Sequence, residues 1–398
     1  MSVGSSSSHR TPQVTPVMRS ESDSVKPLEL FFDLVLVLAL TQCTALMAAQ
    51  PTWQGLAKGL LILGVVWWSW VGYAWLTSVI DPEEGVVRIA MFTAMAALLI
   101  MSLCIPTVFD DTALIFAIAY AFVRGMHIVL FVVASREDPG LRKAVRGLGM
   151  STAIGCALIF GASAVDGPVQ GALWTAALVL DAGGPYLFSA EGWKLVPGHF
   201  AERHGLMIII ALGESIVAVG IGAGGLTVDG GVVLAAVLGI VVTSALWWLY
   251  FDVVALVAER RLHNAAPGRE RNEIARDSFS YLHFPMIAGI VLVALGLKKT
   301  LQHVGDPLGL VPTVALYGGV AMYLLAHVAF RLRNVGRLSI HRVVTATVLV
   351  ALVPVGHDIP AAAAVGVVAG LLVGLIVYET IRFAELRGRM RHELGGAP

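Results

Sequence analysis

The residues of this chain whose types and spacing could do chemistry lie in strongly apolar surroundings. Glu214 follows Glu202 by 12 residues, about 18 Å along a helix rising ~1.5 Å per residue. Arg124 comes 13 residues after Asp111, at a similar depth, and His127 sits one turn further on the same helix face. Asp181 is followed at once by Gly183, Gly184 and Pro185. Proline removes a backbone donor and glycine loosens the turn, so a broken or kinked helix is expected beside this acid. Nearer the start, Glu29 and Asp33 form an i, i+4 carboxylate pair, with Gln42 deeper in the same segment. An ionisable side chain near the bilayer centre costs about 2.5–3.5 kcal/mol even on a lenient insertion scale, so such groups mark ion, proton or substrate paths by default.

Each of these residues also has a plainer reading. Glu29 and Asp33 suit the positive N-terminal end of a helix as entry caps; as neighbours that repel, one of them is expected to hold a proton. Arg124 is compatible with a static ion pair to Glu214 or Asp181 that only fixes packing. His283 and His327 could titrate in a proton path, or be satisfied by neighbouring carbonyls. Trp67, Trp68, Trp70 and Trp75 read as packing and interfacial anchors. Cys43, Cys104 and Cys156 all fall in apolar runs and read as small hydrophobes, with no disulfide or metal role. No HExxH, Walker A, GxSxG or CxxC pattern occurs, and no lysine sits at mid-span. A metal centre, a cofactor and an enzymatic role are therefore not expected.

The elements that must position these residues are transmembrane helices. Of 398 residues, 57% are hydrophobic and 14% charged, with mean hydropathy +0.80. Soluble proteins carry about 25% charged residues, so this composition excludes a cytosolic enzyme. The 27 basic and 27 acidic residues cancel, which leaves no electrostatic footprint for nucleic acid. Spans of about 20 apolar residues are expected near 28–49, 53–79, 86–105, 111–134, 142–163, 168–189, 200–222, 231–256, 277–297, 309–331, 339–356 and 360–382. With the N-terminus in the cytoplasm, 23 of the 27 basic residues fall inside, Lys58, Lys298 and Lys299 fall outside, and Arg124 lies within a span. The positive-inside rule thus favours an all-α, polytopic bundle of about twelve spans with both termini cytoplasmic.

The bundle carries signs of an internal repeat. ELFFDLVLVLALTQ from Glu29 resembles ERHGLMIIIALGES from Glu202, and the next span in each case carries a tryptophan pair, Trp67-Trp68 and Trp247-Trp248. Spans four and ten match in Tyr120 and His127 against Tyr317 and His327. Two parallel six-helix halves, 27–196 and 197–383, are expected, flanked by a polar, disordered cytoplasmic tail over 1–26 and a short basic one over 384–398. Gly366, Gly370 and Gly374 repeat at every fourth position and form a small-residue face suited to close helix packing, within the chain or in a homodimer.

PLELFFDLVLVLALTQ from Pro27, WTAALVLDAGGP from Trp174 and HFAERHGLMIIIALGESIVAVG from His199 resemble the bacterial low temperature requirement protein A family. The resemblance extends from Pro27 to the last span. Its signature residues fall here on Glu29, Phe32, Asp33, Gln42, Asp181, Pro185, His199, Glu202, Arg203, Gly205, Gly213, Glu214 and Ser215. Cys43 departs from the bulkier apolar residue expected after Gln42. The resemblance implies a multi-pass protein of the bacterial inner membrane associated with growth in the cold, and supplies no reaction.

Taken with the buried charges, it points to a proton- or ion-coupled secondary transporter of a small solute. A central polar site of Glu214, Asp181, Arg124, His127 and Ser215 is expected, with a cytoplasmic-mouth relay of Glu29, Asp33, Gln42, Glu202 and Arg203. The expected partners are membrane lipid and the solute or ion. One alternative is a non-transporting factor that organises lipid or partner proteins in the cold. Another is an intramembrane lipid-modifying enzyme, for which Asp252, Glu202, Arg203 and His204 would have to converge.

Overall fold

The computed structural model describes residues 24–187 and 191–384. The tails expected over 1–26 and 384–398 lie almost wholly outside the described residues. Fifteen α-helices follow one another: α1 (Pro27–Ala49), α2 (Trp53–Thr77), α3 (Gly85–Cys104), α4 (Ala113–Ala134), α5 (Pro139–Ala162), α6 (Gly167–Leu187), α7 (Pro197–Ala223), α8 (Gly230–Phe251), α9 (Val254–His263), α10 (Arg269–Ile274), α11 (His283–Gln302), α12 (Leu310–Val335), α13 (Ile340–Ala351), α14 (Val353–Gly356) and α15 (Ala361–Arg382). A π-helical turn, Ala275–Tyr281, joins α10 to α11. Among the described residues, 10 helical segments are long and apolar enough to cross a membrane. The protein is a multi-pass membrane protein.

Helices stand at all twelve expected positions, and the two that fall short of a continuous apolar span do so for local reasons. In α6, Asp181 and four glycines dilute the apolar run. The expected span 339–356 is divided into α13 and α14 at Leu352, just before Pro354. The break expected beside Asp181 is not there. Helix α6 runs on through Gly183, Gly184 and Pro185 to Leu187, the last described residue of this stretch, although Pro185 cannot donate to the Asp181 carbonyl; the Tyr281 hydroxyl donates to the neighbouring Ala182 carbonyl. Irregular backbone occurs instead between α8 and α9, at Asp252 and Val253, and in the π-helical turn. Such π-turns frequently occur at functional positions.

Helix starts follow the sequence. Thr52 accepts from Gly55 N–H, Asp138 from Gly140 and Leu141, and Asp229 from Val232, each satisfying donors that the first turn leaves over. The Lys194 ammonium, 2.6 Å from Asp138, together with these N–H groups, holds the Asp138 carboxyl below the usual carboxylate range. Between α12 and α13, Gly336 takes the left-handed conformation (φ 70°) that ends a helix.

Helix α11 is the axis of the bundle, packed against α12, α7, α1 and α8 and buried from Met286 to Leu297. The neighbours of α1 to α6 recur in the second half. Helix α1 packs on α2 and α3 as α7 packs on α8 and α11; α4 packs on α3 and α5 as α12 packs on α11 and α13; and α6 meets α2 and α5 as α15 meets α8 and α13. The halves are also joined by indoles: Trp67 Nε1 donates to the Ser280 carbonyl and Trp75 Nε1 to Ser280 Oγ, both at 2.9 Å on the π-turn.

Glycine allows the closest of these approaches. A Cβ on Gly289 of α11 would lie 2.6 Å from the Gly319 carbonyl of α12. Gly289→Ala is therefore expected to destabilise the protein by roughly 1–3 kcal/mol through overpacking against backbone. At Gly370 nothing lies within 4 Å of an added Cβ, so Gly370→Ala is expected to be neutral, or to stabilise by up to ~1 kcal/mol through helix propensity. Thermal unfolding in detergent compares the two. Gly370 and Gly374 are thus open among the described residues, while Gly366 faces Leu238 of α8; α15 is buried mainly through Ala364, Val365, Val368 and Leu372.

Candidate functional site

The carboxylates of α1 meet cations of α7. Asp33 accepts a hydrogen bond from Arg203 Nη2 and another at 2.8 Å from Trp70 Nε1 on α2. Arg203 Nη1 donates to Thr77 Oγ1 at 2.8 Å and lies 3.6 Å from Glu29 Oε1, and the guanidinium stands 5.5 Å from the Trp70 ring. His199 Nε2 reaches both Glu29 oxygens, at 2.9 and 3.0 Å. Glu29 also accepts from the Lys26 backbone N–H at 2.9 Å, so the entry-cap reading and the ionic reading both hold for it. Glu29, Asp33 and Arg203 are 0% exposed and His199 1%. Asp33 Oδ2 has no hydrogen-bond partner among the described residues.

This geometry follows from helical spacing. Glu29 and Asp33 fall on one face of α1, four residues apart, and His199 and Arg203 repeat the interval on α7. Two charge ladders thus face each other across one helix interface. Both carboxylates face one guanidinium, and an uncompensated charge is very costly where no water reaches. Among these four side chains, two carboxyls thus stand against one guanidinium and one titratable imidazole. A cavity of about 460 Å³ lies beside it, lined by His199, Glu202, Tyr250 and Glu259 among others. Glu202 is exposed there and accepts from the Val25 N–H at 3.1 Å.

A second ionic group joins α4, α5 and α6. Arg124 Nη2 donates to Asp181 Oδ1 at 2.6 Å and to Thr152 Oγ1 at 2.9 Å, and Tyr120 OH donates to Asp181 Oδ2 at 3.2 Å. Both charged residues are 1% exposed. Of the two partners open to Arg124 in the sequence, Asp181 is the one it takes. A small cavity, about 60 Å³, lies beside Arg124 and His127 under Trp68, Trp75 and Trp193.

Glu214 stands apart from this pair. Its Oε2 accepts from Thr41 of α1, and it forms no salt bridge with Arg124 among the described residues. Ser215 beside it is 0% exposed with Oγ unpartnered, and Gln42 is half-buried. The residues expected in one central site thus occupy two places, Arg124, His127 and Asp181 in one and Glu214 with Ser215 in the other. The four residues of the lipid-enzyme alternative also separate. Asp252 and Glu202 line different cavities, Arg203 is engaged with Asp33, and His204 packs edge-on to Trp70 and His283.

The structure adds a third group that the sequence does not single out. Arg342 of α13 clasps Glu379 of α15 in a two-pronged contact, Nε to Oε1 at 2.8 Å and Nη2 to Oε2 at 2.9 Å, with His341 Nε2 2.7 Å from Oε1. Arg342 Nη1 is 2.8 Å from His327 Nδ1. It reproduces the first half's combination of an arginine, an acid from the last helix and a histidine from the fourth. Arg342 and Glu379 each lie near a helix end, where charge is common, so nothing local in the sequence singles them out. His283 meets the plainer expectation, with Nδ1 2.9 Å from the Ser278 carbonyl and Nε2 2.8 Å from Tyr250 OH.

No solved structure matches the chain. It is 27% identical over 289 residues to an uncharacterized protein of Rhizobium meliloti (strain 1021), an overlap covering 69% of each chain. The family model for the bacterial low temperature requirement A protein matches residues 24–377, a range that takes in Glu29, Asp33, Arg124, Asp181, His199, Arg203 and Glu214. A match of that extent, over the helices that carry the α1–α7 and α4–α6 charges, places the chain in the bacterial low temperature requirement A protein family.

Proposed function

We propose that this protein is a proton- or ion-coupled secondary transporter of a small solute in the bacterial cytoplasmic membrane, with both termini cytoplasmic and two parallel six-helix halves. The observation that carries the reading is the α1–α7 cluster: two fully buried carboxylates facing one guanidinium, at a junction between the halves and beside a cavity that reaches an exposed acid. Two carboxyls and an imidazole held together at a helix interface can exchange a proton when the helices part, which is what coupling requires. We assign the protein no enzymatic reaction and no cofactor. The link to growth in the cold is then indirect, through the solute moved. The exposed Gly370 and Gly374 of α15 favour, as a second reading, a factor that assembles through this face as a homodimer or with partner proteins.

The test is proton movement in proteoliposomes carrying an internal pH dye, challenged with alkali cations and with small anionic and zwitterionic metabolites. One solute is expected to drive proton movement by the unaltered protein. Glu29→Gln, which removes one titratable carboxyl from the cluster, is expected to slow it at least tenfold while eluting as a folded protein. If no solute moves protons through well-folded protein, the transporter reading is wrong and the assembly reading takes its place.

A further inference from the structure

A cavity of about 300 Å³ lies at the end of the second half, where the C-terminal ends of α8, α12 and α15 meet the N-terminus of α13. Three guanidiniums, those of Arg331, Arg337 and Arg342, and two carboxylates, Asp252 and Glu379, line it, so its fixed charge is positive. Arg342 is spoken for by Glu379. Arg331 donates only to Ser339 Oγ, at 2.7 Å, and neither Arg331 nor Arg337 pairs with a carboxylate among the described residues. The N-terminus of the 12-residue α13 adds its unsatisfied N–H groups, with no acidic residue in the first turn. Guanidinium groups beside a helix N-terminus match the oxygens of a phosphate. Apart from Asn334 and from His341, which pairs with Glu379, the rest of the wall is apolar, with Trp248, Val254, Val257, Phe330 and Phe383, and Trp248 is 40% exposed on the outer surface of the bundle.

We infer that this cavity binds the phosphate head of an anionic amphiphile, a membrane phospholipid, with Arg331 and Arg337 holding the phosphate and the Trp248 and Phe383 side of the wall taking the start of its acyl chains. A free phosphate would satisfy the same guanidiniums. The apolar majority of the wall favours the lipid. The first-half counterpart beside Arg124 encloses only about 60 Å³ under Trp68, Trp75 and Trp193, too little for such a head group.

Binding is read by native mass spectrometry and thermal shift on the full chain in detergent, with added phosphatidylglycerol, phosphatidylcholine, inorganic phosphate or glycerol 3-phosphate. Phosphatidylglycerol is expected to bind roughly tenfold or more tightly than phosphatidylcholine, and Arg331→Gln with Arg337→Gln to abolish that preference. Arg331→Lys with Arg337→Lys keeps the charge and is expected to retain most of it, which guards against loss of fold in the glutamine pair. If inorganic phosphate or glycerol 3-phosphate stabilises the protein as well as the lipid does, and the glutamine pair removes this, the ligand is a soluble phosphate and the lipid assignment falls. Equal binding of the two lipids, or a preference unchanged in the glutamine pair, overturns the site. The measurement involves no flux, so its outcome is independent of whether the protein transports.

Discussion

Arg203→Gln is expected to destabilise the protein by roughly 3–5 kcal/mol, among the largest effects of any single substitution. The reason lies in what stays behind. Glu29 and Asp33 remain fully buried, now without the guanidinium, and breaking a buried pair from one side leaves an uncompensated charge. Asp33→Asn together with Arg203→Gln removes both charges and is expected to recover part of the loss, because the remaining amide groups form hydrogen bonds without desolvating an ion. A double-mutant cycle on thermal unfolding measures the coupling. If the double variant is no more stable than Arg203→Gln alone, Asp33 is not the partner that matters, and Glu29 with His199 would have to be.

How far this cluster was legible in the sequence is instructive. Glu29, Asp33 and Arg203 stand out because charge is rare in apolar runs, and the i, i+4 interval on α1 puts two of them on one face. That they face α7 is not written in α1 at all, since it depends on how two distant helices pack. Helix positions were readable for the same reason in reverse: a bilayer demands about 20 apolar residues of every crossing, a local rule. Glu214 illustrates the limit. Spacing along a helix gives no azimuth, and Glu214 turns toward Thr41 on α1 instead of toward Arg124. Pro185 costs α6 a bond to the Asp181 carbonyl, yet the helix continues through it, beside a Tyr281 hydroxyl that donates to Ala182, a tertiary contact that local sequence does not show. Arg342 and Glu379 lie near the ends of their helices, and their burial comes from α13 and α15 folding side by side.

The second large effect is a contrast between the two halves. Asp181→Asn is expected to cost about 3–5 kcal/mol, because Arg124 is 1% exposed and has no other carboxylate to turn to among the described residues. Glu379→Gln removes a partner of Arg342 with equally good geometry, but its side chain is 14% exposed and adjoins a cavity of about 300 Å³. Water can hydrate the freed guanidinium there, so the expected cost is smaller by at least half. Unfolding midpoints of the two variants in one detergent check the ordering. Equal costs would mean that the second cavity is dry. They would remove the hydrated entry to Arg342 that separates the two halves energetically, while leaving the pairing of each arginine intact.

The α1–α7 cluster also constrains how the chain is made. Asp33 and Arg203 are 170 residues apart in sequence, and synthesis proceeds at ~5–20 residues per second, so the acid emerges from the ribosome roughly 10–35 s before its guanidinium. For that interval six helices reach the membrane with two acids in α1 and neither of their α7 cations. Insertion of α1 must therefore proceed with those acids neutralised or held near the lipid head groups, and they are drawn to their final depth only when α7 arrives. The docking of the two halves is thus ordered in time by the translation of a single arginine, and a truncated chain ending before α7 would leave α1 a substrate for membrane quality control.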